Sequence, residues 1–98
     1  MPLMEISMVP VGTGDESFQK DIERAVAVIE QNELKYQVTP TSTIIEGEID
    51  KLFDVAQVIH LNEIKNNAKR VVTSIKIDDR TDKPLTLEGQ QQKVDPSS

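Results

Sequence analysis

The sequence has no cysteine, which removes disulfides, thiolate zinc sites and cysteine nucleophiles together, while leaving the redox compartment open. Histidine is nearly absent too: His60 stands alone, so no histidine pair exists to ligate a metal or form a catalytic couple. The aromatics are limited to Phe18, Tyr36 and Phe53, and acidic residues outnumber basic ones by 17 to 11, for a net charge of -6. A nucleic-acid partner would need a basic face and stacking platforms, and the chain offers neither. The same charge disfavours an anionic membrane surface. No apolar run approaches the roughly 20 residues of a membrane span, and the N-terminus lacks the basic-then-apolar profile of a secretory signal. The sequence therefore reads as a soluble, cytoplasmic protein.

What is present is an ordered alternation of periodicities. Residues 3–9 set Met4, Ile6 and Met8 against Glu5, Ser7 and Val9, the period of two of a strand with one apolar face. From residue 18 the spacing changes. Phe18, Ile22, Ala25, Val26 and Ile29 fall on one stripe of a helix. Residues 35–39 and 41–48 read as two short strands separated by a bend at Pro40, which has no amide donor and biases Thr39 away from helix. Leu52, Val55, Ala56 and Ile59 restore helical spacing over residues 50–66, with Asp50 complementing the positive end of that helix. Residues 70–78, rich in Val, Ile and Thr, alternate again, with Val71, Thr73, Ile75 and Ile77 expected inward.

Strand-helix-strand repeated once, with right-handed crossovers, gives an α+β ferredoxin-like sandwich, βαββαβ, with an antiparallel sheet in order 4-1-3-2 and both helices on one face. We expect a single domain over residues 1–89 and a polar, frayed tail at 90–98. The pleat then assigns the bare face. Glu5, Ser7 and Val9 point outward from the first strand, Val72, Ser74, Lys76 and Asp78 from the last, and Ser42, Ile44, Glu46 and Glu48 from the third, with Thr43 and Ile45 inward. Two readings of this mixed surface stay open: a solvated outer face, or a pocket made when two such sheets stack about a two-fold axis.

Other features carry less. The run Pro10-Val11-Gly12-Thr13-Gly14-Asp15 has two glycines and capping side chains that suit a turn into a helix, but it has no following Gly-Lys-Ser/Thr and misses the dinucleotide spacing. His60, beside the apolar stripe of the second helix, reads as a packed or capping residue. Glu46 and Glu48 share a strand face, but nothing near them marks a scissile substrate. Leu85 and Leu87, beyond the last strand, need cover, and a neighbouring protomer is one source of it.

Three segments in order carry a resemblance over nearly the whole chain: Pro10-Val11-Gly12-Thr13-Gly14; Thr39-Pro40-Thr41-Ser42-Thr43-Ile44-Ile45-Glu46-Gly47-Glu48; and residues 69–83, from Lys69-Arg70-Val71-Val72 to Asp79-Arg80-Thr81-Asp82-Lys83. The chain resembles the family of small thiamine-binding proteins of bacteria, archaea and yeast. The resemblance implies a ferredoxin-like protomer, sheet-to-sheet dimers that pair into a homotetramer, no established enzymatic activity, and an interface pocket for thiamine or its hydroxymethylpyrimidine portion. Two departures stand out. Thr41 and Ser42 replace the usual Met-Gly, and Asn66-Asn67-Ala68 replaces a helix-ending glycine that Asn67 can substitute for in a left-handed cap.

An aminopyrimidine presents an amino donor beside a ring-nitrogen acceptor, and a thiazolium cation favours a negative site. The expected site has Glu46 and Glu5 on the polar edge, hydroxyl contacts from Ser7, Thr43 and Ser74, apolar walls from Ile44 and Val72, and Lys76 balancing the charge. No metal, cofactor or catalytic residue is expected. The alternatives are a stand-alone regulatory oligomer for another metabolite and a purely structural assembly. An acylphosphatase-like enzyme shares the wiring but would place an arginine in the first loop, where there is none.

Overall fold

The computed structural model describes residues 1–11, 18–66 and 69–88, with residue 18 described by its backbone alone. Six elements follow in order: β1 (Leu3–Val11), α1 (Phe18–Gln31), β2 (Lys35–Val38), β3 (Thr43–Glu46), α2 (Ile49–Lys65) and β4 (Arg70–Asp78). The strands form one antiparallel sheet in the order β2-β3-β1-β4, the ferredoxin-like order expected from the periodicities. The expected roles of Gly12, Thr13, Gly14, Asp15, Phe18, Asn67 and the 90–98 tail lie outside the described residues and side chains.

β1 continues two residues past the expected end, through Pro10 to Val11. Beyond Ile6 it pairs with β4 but no longer with β3. Pro10 therefore sits where the strand is bonded on one side only, the position in which a missing donor is tolerated. β3 is shorter than expected because residues 39–42 close on themselves. The Thr39 amide donates to the Ser42 carbonyl at 2.8 Å, and the Ser42 amide donates to Thr39 Oγ1 at 3.0 Å. That bonding releases Thr41 and Ser42 from the ladder.

The core lies between the sheet and the two helices. Met4, Ile6 and Ile45 from the sheet meet Ala25, Val28 and Ile29 of α1 and Leu52, Val55, Ala56 and Ile59 of α2. Each large side chain buried there contributes roughly 1.5–3 kcal/mol. α1 ends without glycine: Glu33 takes φ 57° while the Leu34 amide reaches back to the Ile29 carbonyl. At the start of α2, Asp50 Oδ1 accepts the Lys51 amide at 2.9 Å, and at its end Asn66 caps through its amide and side chain onto Asn62. Gly47 lies close to Leu34: a Cβ there would stand 3.0 Å from Leu34 Cδ2, a tight contact that the leucine side chain would have to shift to relieve.

Two polar ties fix the helices. Arg24 on α1 donates to buried Glu63 on α2 through Nε at 3.2 Å and Nη2 at 3.3 Å, and also to buried Asp21. His60 Nδ1 lies 2.7 Å from Thr73 Oγ1, linking α2 to β4, so His60 is a packed residue with a partner.

Two expectations are corrected. Ile75 and Ile77 face the helix side in register with Ile6 and Met4, yet they stay 42% and 36% exposed. β4 is an edge strand, and α2 lies over its inner flank without reaching past it. Leu85 and Leu87 find their cover in their own protomer. They fold back over Leu3, with Ile44 beside them, as a second small core on the outer face.

Candidate functional site

The outer face of the sheet is built in rows. Across one row, Glu5 on β1 stands between Ile44 on β3 and Lys76 on β4. In the next, Ser7 faces Ser74, and beyond them Val9 faces Val72. On the other side of Glu5, Leu3 stands between Glu46 and Asp78. Six of the expected residues, Glu5, Ser7, Ile44, Val72, Ser74 and Lys76, thus form one contiguous surface on the side of the sheet away from α1 and α2, and Glu46 stands at its edge.

Thr43 is not brought to this surface. It pairs with Ile6, is buried, and belongs to the helix side. There it lines a small cavity of about 120 Å³ shared with Thr39, Ser42, Asp21 and the wall of α1. The alternation of β3 forces this, because Thr43 cannot share a face with Ile44 and Glu46 without breaking the pleat.

Charge on the surface is arranged as a dipole. Glu5 and Lys76 are direct cross-strand neighbours, at about 4.5–5.5 Å between Cβ atoms for such a pair, yet they form no ion pair among the described residues. Both heads are therefore available to a third group. Glu46 is differently placed: its Oε1 accepts the backbone amide of Leu87 at 3.2 Å. A carboxylate has further acceptor positions, so this bond orients Glu46 without exhausting it.

Sequence reasoning missed the cluster of Leu3, Leu85 and Leu87 that walls one end of this face. Two leucines after Pro84 were a visible signal that something is covered there. The direction in which they turn was not encoded in any local period.

The chemistry available is recognition of a polar, planar group: one acceptor-rich head, one donor-rich head, hydroxyls that serve as either, and valines at the rim. Among the described residues no group of three or more acidic or histidine side chains could hold a metal ion, and no helix is long and apolar enough to cross a membrane.

The fold defines a small ferredoxin-like α+β protein with an open sheet face of mixed polar and apolar residues. The chain belongs to the thiamine-binding protein family, whose sequence profile matches residues 4–95. It is similar to the UPF0045 protein YqgV of Bacillus subtilis, with 37% identity over 98 residues, covering 96% of this chain and 94% of that one. The crystal structure of protein MJ1052 of Methanocaldococcus jannaschii superposes with a TM-score of 0.84 at 31% identity, covering 95% of this chain and 94% of the other. A Thermotoga maritima protein proposed to act in thiamine biosynthesis or salvage gives a TM-score of 0.78 at 28% identity, over 94% and 96% of the two chains.

Proposed function

We propose that the protein binds thiamine or its hydroxymethylpyrimidine portion, without catalysing a reaction on it, at an interface between cytoplasmic protomers that stack through their outer sheet faces. The observation that carries this reading is the row Ile44–Glu5–Lys76 beside the Ser7–Ser74 pair. An aminopyrimidine edge pairs its amino group with the Glu5 carboxylate and its ring nitrogen with a serine hydroxyl or the Lys76 ammonium. Glu46 and the net charge of -6 favour the thiazolium cation.

The protomer interface is supported by the rim. Val9 and Val72 are 56% and 44% exposed on the sheet face turned away from α1 and α2, and half-apolar sheet faces gain by stacking. A homotetramer, as a dimer of such dimers, follows from the same reading. The site is a hold rather than an engine, since the hydroxyls of Ser7 and Ser74 lie across the sheet from His60, whose Nδ1 is occupied by Thr73.

Calorimetric titration of thiamine, hydroxymethylpyrimidine and an unrelated metabolite tests this. Glu5→Gln and Glu46→Gln should each weaken thiamine binding about tenfold or more, as for a lost charge-assisted hydrogen bond of roughly 1.5–3 kcal/mol. Thr43→Val, on the opposite face, should leave affinity within about twofold. No heat with either pyrimidine would remove the ligand and leave the face as an assembly surface. Undiminished affinity in both glutamine variants would move the site elsewhere.

A further inference from the structure

Glu46 is opposed by a lysine with which it does not pair. Lys35 on β2 is its direct cross-strand partner, and side chains so opposed share a face, at about 4.5–5.5 Å between Cβ atoms. Opposite charges in that position attract one another. Among the described residues Lys35 and Glu46 nonetheless form no ion pair, and the Lys35 ammonium lies 3.6 Å from Glu88 Oε1 instead.

The segment that supplies Glu88 also supplies a partner for Glu46. Leu85 and Leu87 are buried on Leu3, and this packing presents the Leu87 amide to Glu46 Oε1 at 3.2 Å. The amide carries no net charge, so the carboxylate is oriented while its negative charge stays intact. Ordering a glutamate side chain in advance also removes part of the rotamer entropy that binding otherwise costs. Glu46 stands beside Leu3 and diagonal to Glu5. Two carboxylates, neither ion-paired among the described residues, therefore border the row that receives the ligand.

We propose that residues 85–88 act as a strap that sets ligand preference. Glu88 draws Lys35 off Glu46, and the Leu87 amide orients the freed carboxylate toward the thiazolium cation of thiamine. The inference rests on the outer-face reading given above and deepens it. Its consequence is a preference for cationic thiamine over neutral hydroxymethylpyrimidine, which offers Glu46 no opposite charge. Glu88 is a positioning residue: it acts through Lys35 and touches no ligand.

Calorimetric titration of the full chain with thiamine and with hydroxymethylpyrimidine tests this, with circular dichroism confirming that each variant is folded. Glu88→Gln should weaken thiamine binding about three- to fivefold, the scale of one exposed charge pair. Hydroxymethylpyrimidine affinity should change by less than about 1.5-fold, within the scatter of independent sites. Once Lys35→Gln is in place, Glu88→Gln should alter thiamine affinity by less than about 1.5-fold, because the lysine it governs is gone. The same should hold in a Glu46→Gln background. A long-range effect of the Glu88 charge would give equal losses in every background, and that result would overturn the proposal. Exchange of the Leu87 amide, followed by NMR without ligand, should be slower in the wild type than in Glu46→Ala; equal rates would overturn the orienting role. Unchanged thiamine binding in Glu88→Gln, with weakened binding in Glu46→Gln, would overturn this proposal and leave the outer-face reading standing. No heat with thiamine, or unchanged affinity in Glu46→Gln, would bring down both.

Discussion

The backbone amide of Leu87 donates to Glu46 Oε1 at 3.2 Å, so a residue after the last strand is pinned to β3 on the face opposite α1 and α2. The bond holds Leu85 and Leu87 down on Leu3 and Ile44, with an exposed Lys35–Glu88 ion pair at 3.6 Å just beyond. Exposed pairs contribute little, which leaves leucine packing as the main term. Leu87→Ala should lower stability in urea unfolding by about 2–3 kcal/mol, the lower part of the range for buried leucine truncation. A loss below about 0.5 kcal/mol would show that the segment does not pack there in solution.

Arg24 faces two buried carboxylates, Asp21 and Glu63, from a position that is itself 23% exposed. Removing one partner of a fully buried charge pair costs about 3–5 kcal/mol, and partial exposure lowers that. Arg24→Met should cost about 2 kcal/mol in denaturant unfolding. Combining it with Glu63→Gln should recover part of the loss, because one of the two buried charges is then gone. Strict additivity of the two losses would argue against coupling.

Asp82 accepts both Nε and Nη2 of Arg80 at 2.8 Å. This hydrogen-bonded pairing holds the Asp82 carboxyl below its ordinary range and raises Arg80 above its own. A depressed folded-state value means that any contribution to stability is present above the ordinary carboxylate range and fades as pH falls through the lowered value. Carbon-13 titration of the side-chain carboxyl should place Asp82 below a free aspartate, and Arg80→Ala should return it upward. An unshifted midpoint in the wild type would mean that the pair does not persist in water.

Glu33 holds φ at 57° immediately after α1, a conformation that costs a residue with a Cβ roughly 1–2 kcal/mol. Glu33→Gly removes that cost but gives the unfolded chain more freedom to lose. The net expectation is a gain of about 0.5 kcal/mol, read as a rise in melting temperature. A fall would mean that the glutamate side chain makes a compensating contact.

The strands and helices were legible where a single period dominates. β4 begins and ends at the residues its Val, Ile and Thr alternation marks, because nothing local competes with the ladder. The start of β3 was not legible, since Thr39 Oγ1 accepts the Ser42 amide and converts two strand-like residues into a turn. Val28 escaped the helical stripe because the core wraps far enough round α1 to take in a neighbouring position. On the candidate site, alternation placed Glu5, Ser7, Ile44, Val72, Ser74 and Lys76 together, since register follows from the pleat. Thr43 was counted in the site for its hydroxyl although the same alternation turns it toward the helices, where the structure places it. The bond from Leu87 to Glu46 was invisible, because it depends on where an aperiodic segment turns.

The cluster of Leu3, Leu85 and Leu87 unites the opening of β1 with a segment that follows β4. Its members come from nearly opposite ends of the described chain, so closing it requires the whole intervening sheet to be in place, and loop entropy defers it. We expect the contact to form in the last stage of folding, after the transition state, with φ-values near zero for Leu85 and Leu87 as the check. Interactions formed that late govern how fast a protein comes apart rather than how fast it assembles. On that expectation, loosening the leucine clasp should shorten the lifetime of the native state while leaving the refolding rate almost untouched.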